Sequence, residues 1–174
     1  NIGTINIYTM DRDGKNVQQI SDATGEEKFI MPRMSPTEDK IIYLFKNKGM
    51  YELDYPNDKR GELLSINGGE SVVPENSLYF RNVRWSPNGE NAIFWEKKFT
   101  TTYNLYKYNK NNSNLELFQE GARYARWNGD DEILFKYESD SGKLYRKNIS
   151  SDLTISPTEV HPLTTPWAQL QQRQ

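Results

Sequence analysis

The chain has 174 residues, 35% of them hydrophobic, 26% charged and 13% aromatic, with a formal net charge of −2. That is enough polypeptide for one domain with a genuine core, and its charge gives no electrostatic basis for binding nucleic acid or an anionic membrane. With no cysteine and a single histidine, His161, it lacks the parts for disulfides, thiolate chemistry or multi-histidine metal centres.

Taken in chain order, the first element is a hairpin. Ile7-Tyr8 leads into the turn Asp11-Arg12-Asp13-Gly14, and Gln19-Ile20-Ser21 follows. The next unit opens on a strand over residues 29–34. It turns through Ser35-Pro36-Thr37-Glu38-Asp39 into the apolar run 40–45, then continues as Met50-Tyr51, the turn Pro56-Asn57-Asp58, and Leu63-Leu64-Ser65. A second unit repeats the order: residues 80–85, the turn Ser86-Pro87-Asn88-Gly89, the apolar run 92–95, Leu105-Tyr106, a turn at 110–113, and Leu117-Phe118. A third runs from 123–127 through Asn128-Gly129-Asp130 to 133–137, Leu144-Tyr145, a turn at 149–152, and Pro162-Leu163-Thr164. Gly, Asn, Asp and Pro supply the turns because they tolerate or pre-set the required φ values. Only the tail, residues 167–172, is compatible with helix, and it has no cap. No apolar stretch is long enough for a membrane-spanning helix, and no signal peptide is visible at Asn1.

Two landmarks keep their place in each unit. Met34, Trp85 and Trp127 occupy one slot, 51 and 42 residues apart, and Tyr8, Tyr51, Tyr106 and Tyr145 occupy another, 43, 55 and 39 apart. Four short strands per 40–50 residues is the arithmetic of a β-propeller blade. The fold expected is all-β: four-stranded antiparallel blades, with a half blade at 5–21, full blades at 28–66, 79–119 and 123–165, and a tail at 166–174. Three and a half blades do not close a ring, so further blades or a second copy would complete it, or the chain is a fragment with one blade disrupted. Met34, Trp85 and Trp127, and the four tyrosines, are expected to pack between blades.

Trp85-Ser86-Pro87-Asn88-Gly89 with Ala92-Ile93-Phe94, and Ile7-Tyr8-Thr9-Met10-Asp11-Arg12-Asp13-Gly14, resemble the repeat of TolB-type propellers, as does Pro162-Leu163-Thr164. The resemblance spans residues 5 to 165. Met34 departs from the pattern by replacing Trp, Thr37-Glu38-Asp39 by replacing the Asn-Gly turn, and the third copy by lacking Ser-Pro. The resemblance implies a protein- or peptide-binding scaffold in an extracytoplasmic place, the periplasm or cell surface. It also covers propeller domains of serine peptidases and oligogalacturonate lyases. A lyase site would need several metal-binding histidines, and this chain has one.

The resemblance further implies that the first strand of each blade lines the central channel. There the sequence repeats arginine: Arg33, Arg84 and Arg126 directly precede the Met/Trp slot, and Arg81 and Arg123 stand three residues earlier. Alternation turns neighbours on a strand to opposite sides, so an arginine beside a packed Trp points away from that packing. Arginine's planar fork suits carboxylates and phosphates. The expected guest is therefore anionic; the competing reading is that each arginine pairs with a carboxylate of the adjacent blade. Phe99 and Tyr103, in the long loop before the third strand, are further candidate contacts. Asp11-Arg12-Asp13-Gly14 lacks the third acid and distal Glu of a calcium loop. Asp130-Asp131-Glu132 reads as a solvated turn, and His161 has no orienting partner. No catalytic residue, metal or cofactor is expected.

Overall fold

A computed structural model describes residues 3–46, 48–65, 81–97, 103–140 and 142–160, though of the side chains of Arg81, Asn82 and Lys97 nothing is described. The described residues hold fourteen strands. A hairpin of β1 (Tyr8–Thr9) and β2 (Gln18–Gln19) comes first. The first four-stranded sheet runs β3 (Phe29–Met34), β4 (Lys40–Phe45), β5 (Gly49–Asp54) and β6 (Glu62–Leu63). The second runs β7 (Arg81–Trp85), β8 (Asn91–Lys97), β9 (Tyr103–Asn109) and β10 (Asn114–Glu120). The third runs β11 (Ala122–Asn128), β12 (Glu132–Tyr137), β13 (Leu144–Asn148) and β14 (Thr158–Val160). Every sheet is an antiparallel meander in sequence order. The fourth strand of the last sheet is β14, which precedes the expected Pro162-Leu163-Thr164; those three residues lie outside the described ones.

The second strand of each sheet explains the packing. Its side chains alternate between two faces, and in the first and second four-stranded sheets both faces are covered by neighbouring sheets. Ile41, Tyr43 and Phe45 meet Ile7, Ile20 and Ala23 of the hairpin unit. Ile42 and Leu44, from the opposite face of the same strand, meet Val83, Ala92, Phe94 and Tyr108 of the second sheet. In β8 the odd and even positions divide likewise: Ile93 and Trp95 turn toward Ala122, Ala125, Ile133 and Phe135 of the third sheet. The three apolar clusters therefore lie between successive sheets, and the sheets are stacked face to face along the chain. A continuously apolar strand is the consequence of having no solvent face.

Met34 packs in the first interface, Trp85 in the second and Trp127 in the third. Tyr51 and Tyr145 pack beside the first and third clusters, and Tyr106 is buried in the second. Tyr8 departs from this expectation. It is 56% exposed, and its hydroxyl donates to Gln19 Oε1 at 3.0 Å. Ile7 is the buried partner in that pair, because the hairpin is covered on one face only.

Polar latches join the sheets as well. Buried Glu52 accepts from Lys40 Nζ at 3.2 Å, and from the Tyr108 hydroxyl of the next sheet. Burial is the main cause that raises the Tyr108 phenol's pKa, with the neighbouring Glu52 adding to it. At the turns, Lys110 Nζ meets Asp39 at 2.8 Å, and the Asn88 amide donates to Asp130 Oδ1 at 2.8 Å.

Candidate functional site

The first strands, β3, β7 and β11, each form one edge of their sheet, and they share a defect. In β3 the register jumps between Ile30 and Arg33, in β7 between Arg81 and Arg84, and in β11 between Arg123 and Arg126. Each jump is a one-residue bulge. Met31 at φ 55° and Tyr124 at φ 56° hold the left-handed conformation the bulge requires.

The bulge decides where the arginines point. In a regular strand, residues three apart face opposite sides. With one extra residue between them, they share a side. Ile30 and Arg33 pair with Leu44 and Ile42, and Arg123 and Arg126 with Lys136 and Leu134. The slot residue turns the other way: Trp85 packs toward the first sheet and Trp127 toward the second. Arg33 and Arg84 thus face the following sheet, and Arg126 holds the equivalent direction on the third.

The first strands are tied to one another. The Trp85 indole N–H donates to the Arg33 carbonyl at 3.0 Å, and the Trp127 indole N–H to the Arg84 carbonyl at 2.8 Å. This repeat fixes the three arginines as a column. Arg84, in the middle, is half-buried, and its Nε is buried with no hydrogen-bond partner. Its pKa is lowered, first by burial and then by the cations of Arg126 and Arg33. An arginine still carries its charge at neutral pH. Arg33 donates from Nη1 to its neighbour's carbonyl, Pro32, at 2.9 Å. Among the described residues, none of the three has a carboxylate within ion-pair distance.

The other candidates divide. Arg123 stands 2.5 Å from Glu138 of its own sheet, and its guanidinium lies 4.4 Å from the Tyr124 ring centroid and 5.4 Å from that of Tyr103. It is a compensated charge, and Tyr103 is one of its aromatic supports. Arg81 sits in register with Trp95, but its side chain is outside the description. Phe99 and His161 also fall outside the described residues. Asp11 and Asp13 form the β1–β2 turn, bonded to Asn16 and Lys15. Glu132 accepts from Asn128 and lies 3.9 Å from Arg146, and Asp130 accepts from the Asn88 amide of the second sheet, so the acidic turn serves structural contacts.

Solved structures share this architecture. An uncharacterised protein of Listeria monocytogenes EGD-e superposes with a TM-score of 0.61 at 13% identity, over 88% of this chain and 45% of that one. The β-propeller domain of the Trilobed protease from Pyrococcus furiosus gives 0.50 at 14% identity, over 78% and 43%. TolB from Acinetobacter baumannii gives 0.50 at 15%, over 85% and 36%. The fold is an incomplete β-propeller. Each sheet is a blade, and the chain spans less than half the length of each of these structures. No family model matches the sequence, and no curated protein does. At such identities the likeness carries fold and nothing finer.

The arginine column therefore lies on the first strands of three consecutive blades, the edge along which those blades are tied to one another. Sequence reasoning missed the bulge, whose only trace is the recurrence of Arg-x-x-Arg before the slot. It also missed Glu52 and Tyr108, which no motif marks.

Proposed function

We propose that the chain is a non-catalytic propeller scaffold that recognises an anionic group of a protein or peptide partner at Arg33, Arg84 and Arg126. One observation carries this reading: three arginines stand in a column whose middle member, Arg84, has a buried Nε without an acceptor and its charge disfavoured by burial and by the other two, with no carboxylate at ion-pair distance of any of them among the described residues. Like charges held together without a counter-charge raise the free energy of the empty protein. An anion relieves that cost, so the column is preorganised for one. The extracytoplasmic setting rests on the TolB-like repeat alone.

The test is calorimetric titration with a hexaglutamate peptide. The wild-type chain binds, and its affinity falls as salt rises. Arg84→Gln and Arg126→Gln each weaken binding by about tenfold or more, in keeping with loss of a charge-assisted contact. Lys15→Gln, on the far hairpin turn, leaves it unchanged. Equal affinity for wild type and both arginine variants would refute the proposal.

A further inference from the structure

Each joint between blades sets a trailing face, turned to the blade after, against a leading face, turned to the blade before. The trailing face presents the second-strand residue paired with the column arginine, the residue before the third-strand tyrosine, and one apolar residue near the fourth strand. These are Ile42, Met50 and Leu64 in the first blade, and Ile93, Leu105 and Phe118 in the second. All six are buried. The leading face presents the third-strand tyrosine: Tyr51 toward the hairpin, Tyr106 toward the first blade, and Tyr145 toward the second.

The hairpin has the same two faces. Ile7 and Ile20 hold the trailing positions and pack on the first blade, which turns Tyr8 to the leading side. Met10, two residues on, shares that side, as does Val17, two before Gln19, the cross-strand partner of Tyr8. Tyr8, Met10 and Val17 are 56, 67 and 61% exposed. At the other end of the stack, Ile133 and Phe135 of the third blade pack toward the second, and the trailing face is open among the described residues. There Leu134 pairs with Arg126 as Ile93 does with Arg84, and Leu144 precedes Tyr145 as Leu105 precedes Tyr106. A cavity of about 370 Å3 lies on this face, walled by Tyr124, Leu134, Lys136 and Leu144. One end of the stack thus has a tyrosine with no trailing face to enter, and the other has a trailing face that no tyrosine enters.

We propose that the trailing face of the third blade receives the hairpin of a second copy of this chain, with the second copy's Tyr8 seated in the cavity over Leu134 and Leu144. Lys136 stands where Leu44 and Trp95 stand in the earlier blades, and its ammonium suits the face of that ring. The contact joins two different surfaces, so two copies make it twice about a two-fold axis. Each new joint repeats the step between blades within the chain, so the pair continues the same stack. Two copies hold six full blades and two hairpins, eight positions in all, within the four to eight of closed propellers. The hairpin brings no first strand to the arginine edge, and the inference stands independently of the anion site.

Sedimentation velocity of the full chain is the test. The wild type is expected to be a dimer. Tyr8→Glu and Leu134→Glu should each weaken association about tenfold or more, as for an aromatic anchor and its pocket. Mixing the two variants should restore dimers, because a mixed pair keeps one joint that carries neither substitution. Near-UV circular dichroism checks folding, and Lys136→Glu replaces Leu134→Glu if that variant does not fold. The chain has no cysteine, so introduced ones report the contact directly: Tyr8→Cys and Leu144→Cys, mixed and treated with a short bismaleimide, should cross-link to each other and not to themselves. A monomeric wild type would overturn the inference and leave both faces to further blades. So would dimers indifferent to Tyr8→Glu, a mixture that stays monomeric, or Tyr8→Cys cross-linked to itself, the mark of a symmetric hairpin contact. Species that keep growing with concentration would overturn it too, as an open chain of copies.

Discussion

Replacing Arg84 by Met should stabilise the empty protein. The change keeps an unbranched stem of similar reach and removes a cation that has two like charges near it and a buried Nε with no acceptor. An unsatisfied buried donor costs about 1–3 kcal/mol, and relief of charge repulsion adds to the gain. Loss of the guanidinium's packing subtracts from it, leaving an expected net of about 1–2 kcal/mol in favour of the variant. Urea unfolding followed by tryptophan fluorescence is the assay. With a slope of about 1–3 kcal/mol per molar urea, the midpoint should rise by about 0.5–1 M with the slope unchanged. Added salt should stabilise wild type more than Arg84→Met, since screening shortens to about 3 Å at 1 M. A fall in midpoint would mean that Arg84 has a counter-charge, and the reasoning behind the column would fail.

Among the described residues, Lys40→Met leaves the buried Glu52 carboxylate with the Tyr108 hydroxyl as its one hydrogen-bond partner. The expected loss is about 2–3 kcal/mol by chemical denaturation, partly recovered in the double variant Lys40→Met/Glu52→Gln. Asp39 is held far below the usual carboxylate range, first by its hydrogen bond from Lys110 and then by those from Thr37 and Ser35. A depressed folded pKa contributes stability above the unfolded value near 4 and loses it as pH falls through the folded value. Wild type should therefore lose stability more steeply than Asp39→Asn below about pH 4, by less than about 1 kcal/mol because the carboxylate is half-exposed. Acid titration of the thermal midpoint checks it. Trp127→Phe deletes the 2.8 Å bond to the Arg84 carbonyl and should cost about 1 kcal/mol in thermal unfolding.

The architecture was legible in the sequence because a blade's second strand has no solvent face. Residues 41–45 and 92–95 are apolar at odd and even positions alike, which neither a one-faced strand nor an amphipathic helix requires. The slot of Met34, Trp85 and Trp127 was legible for the same reason, as a large side chain at a fixed point in each interface. The direction of the arginines was only half legible. Alternation places Arg126 opposite Trp127, but it also places Arg123 opposite Arg126, and the bulge reverses the second inference. Nothing local announces that bulge, since its left-handed positions are Met31 and Tyr124, where no glycine or asparagine marks them. Tyr8 misled because its neighbours in sequence match those of Tyr51 and Tyr106. Burial depends on the blade alongside, which is a tertiary fact. No motif marks Glu52, whose burial depends on Lys40 and on a tyrosine 56 residues away.

The most direct test of the anion column is the Nε–H resonance of Arg84 in an arginine-labelled sample titrated with hexaglutamate at low salt. The account predicts a saturable shift, abolished by Arg126→Gln and by high salt. A resonance that does not move, while the peptide binds elsewhere or not at all, would contradict it.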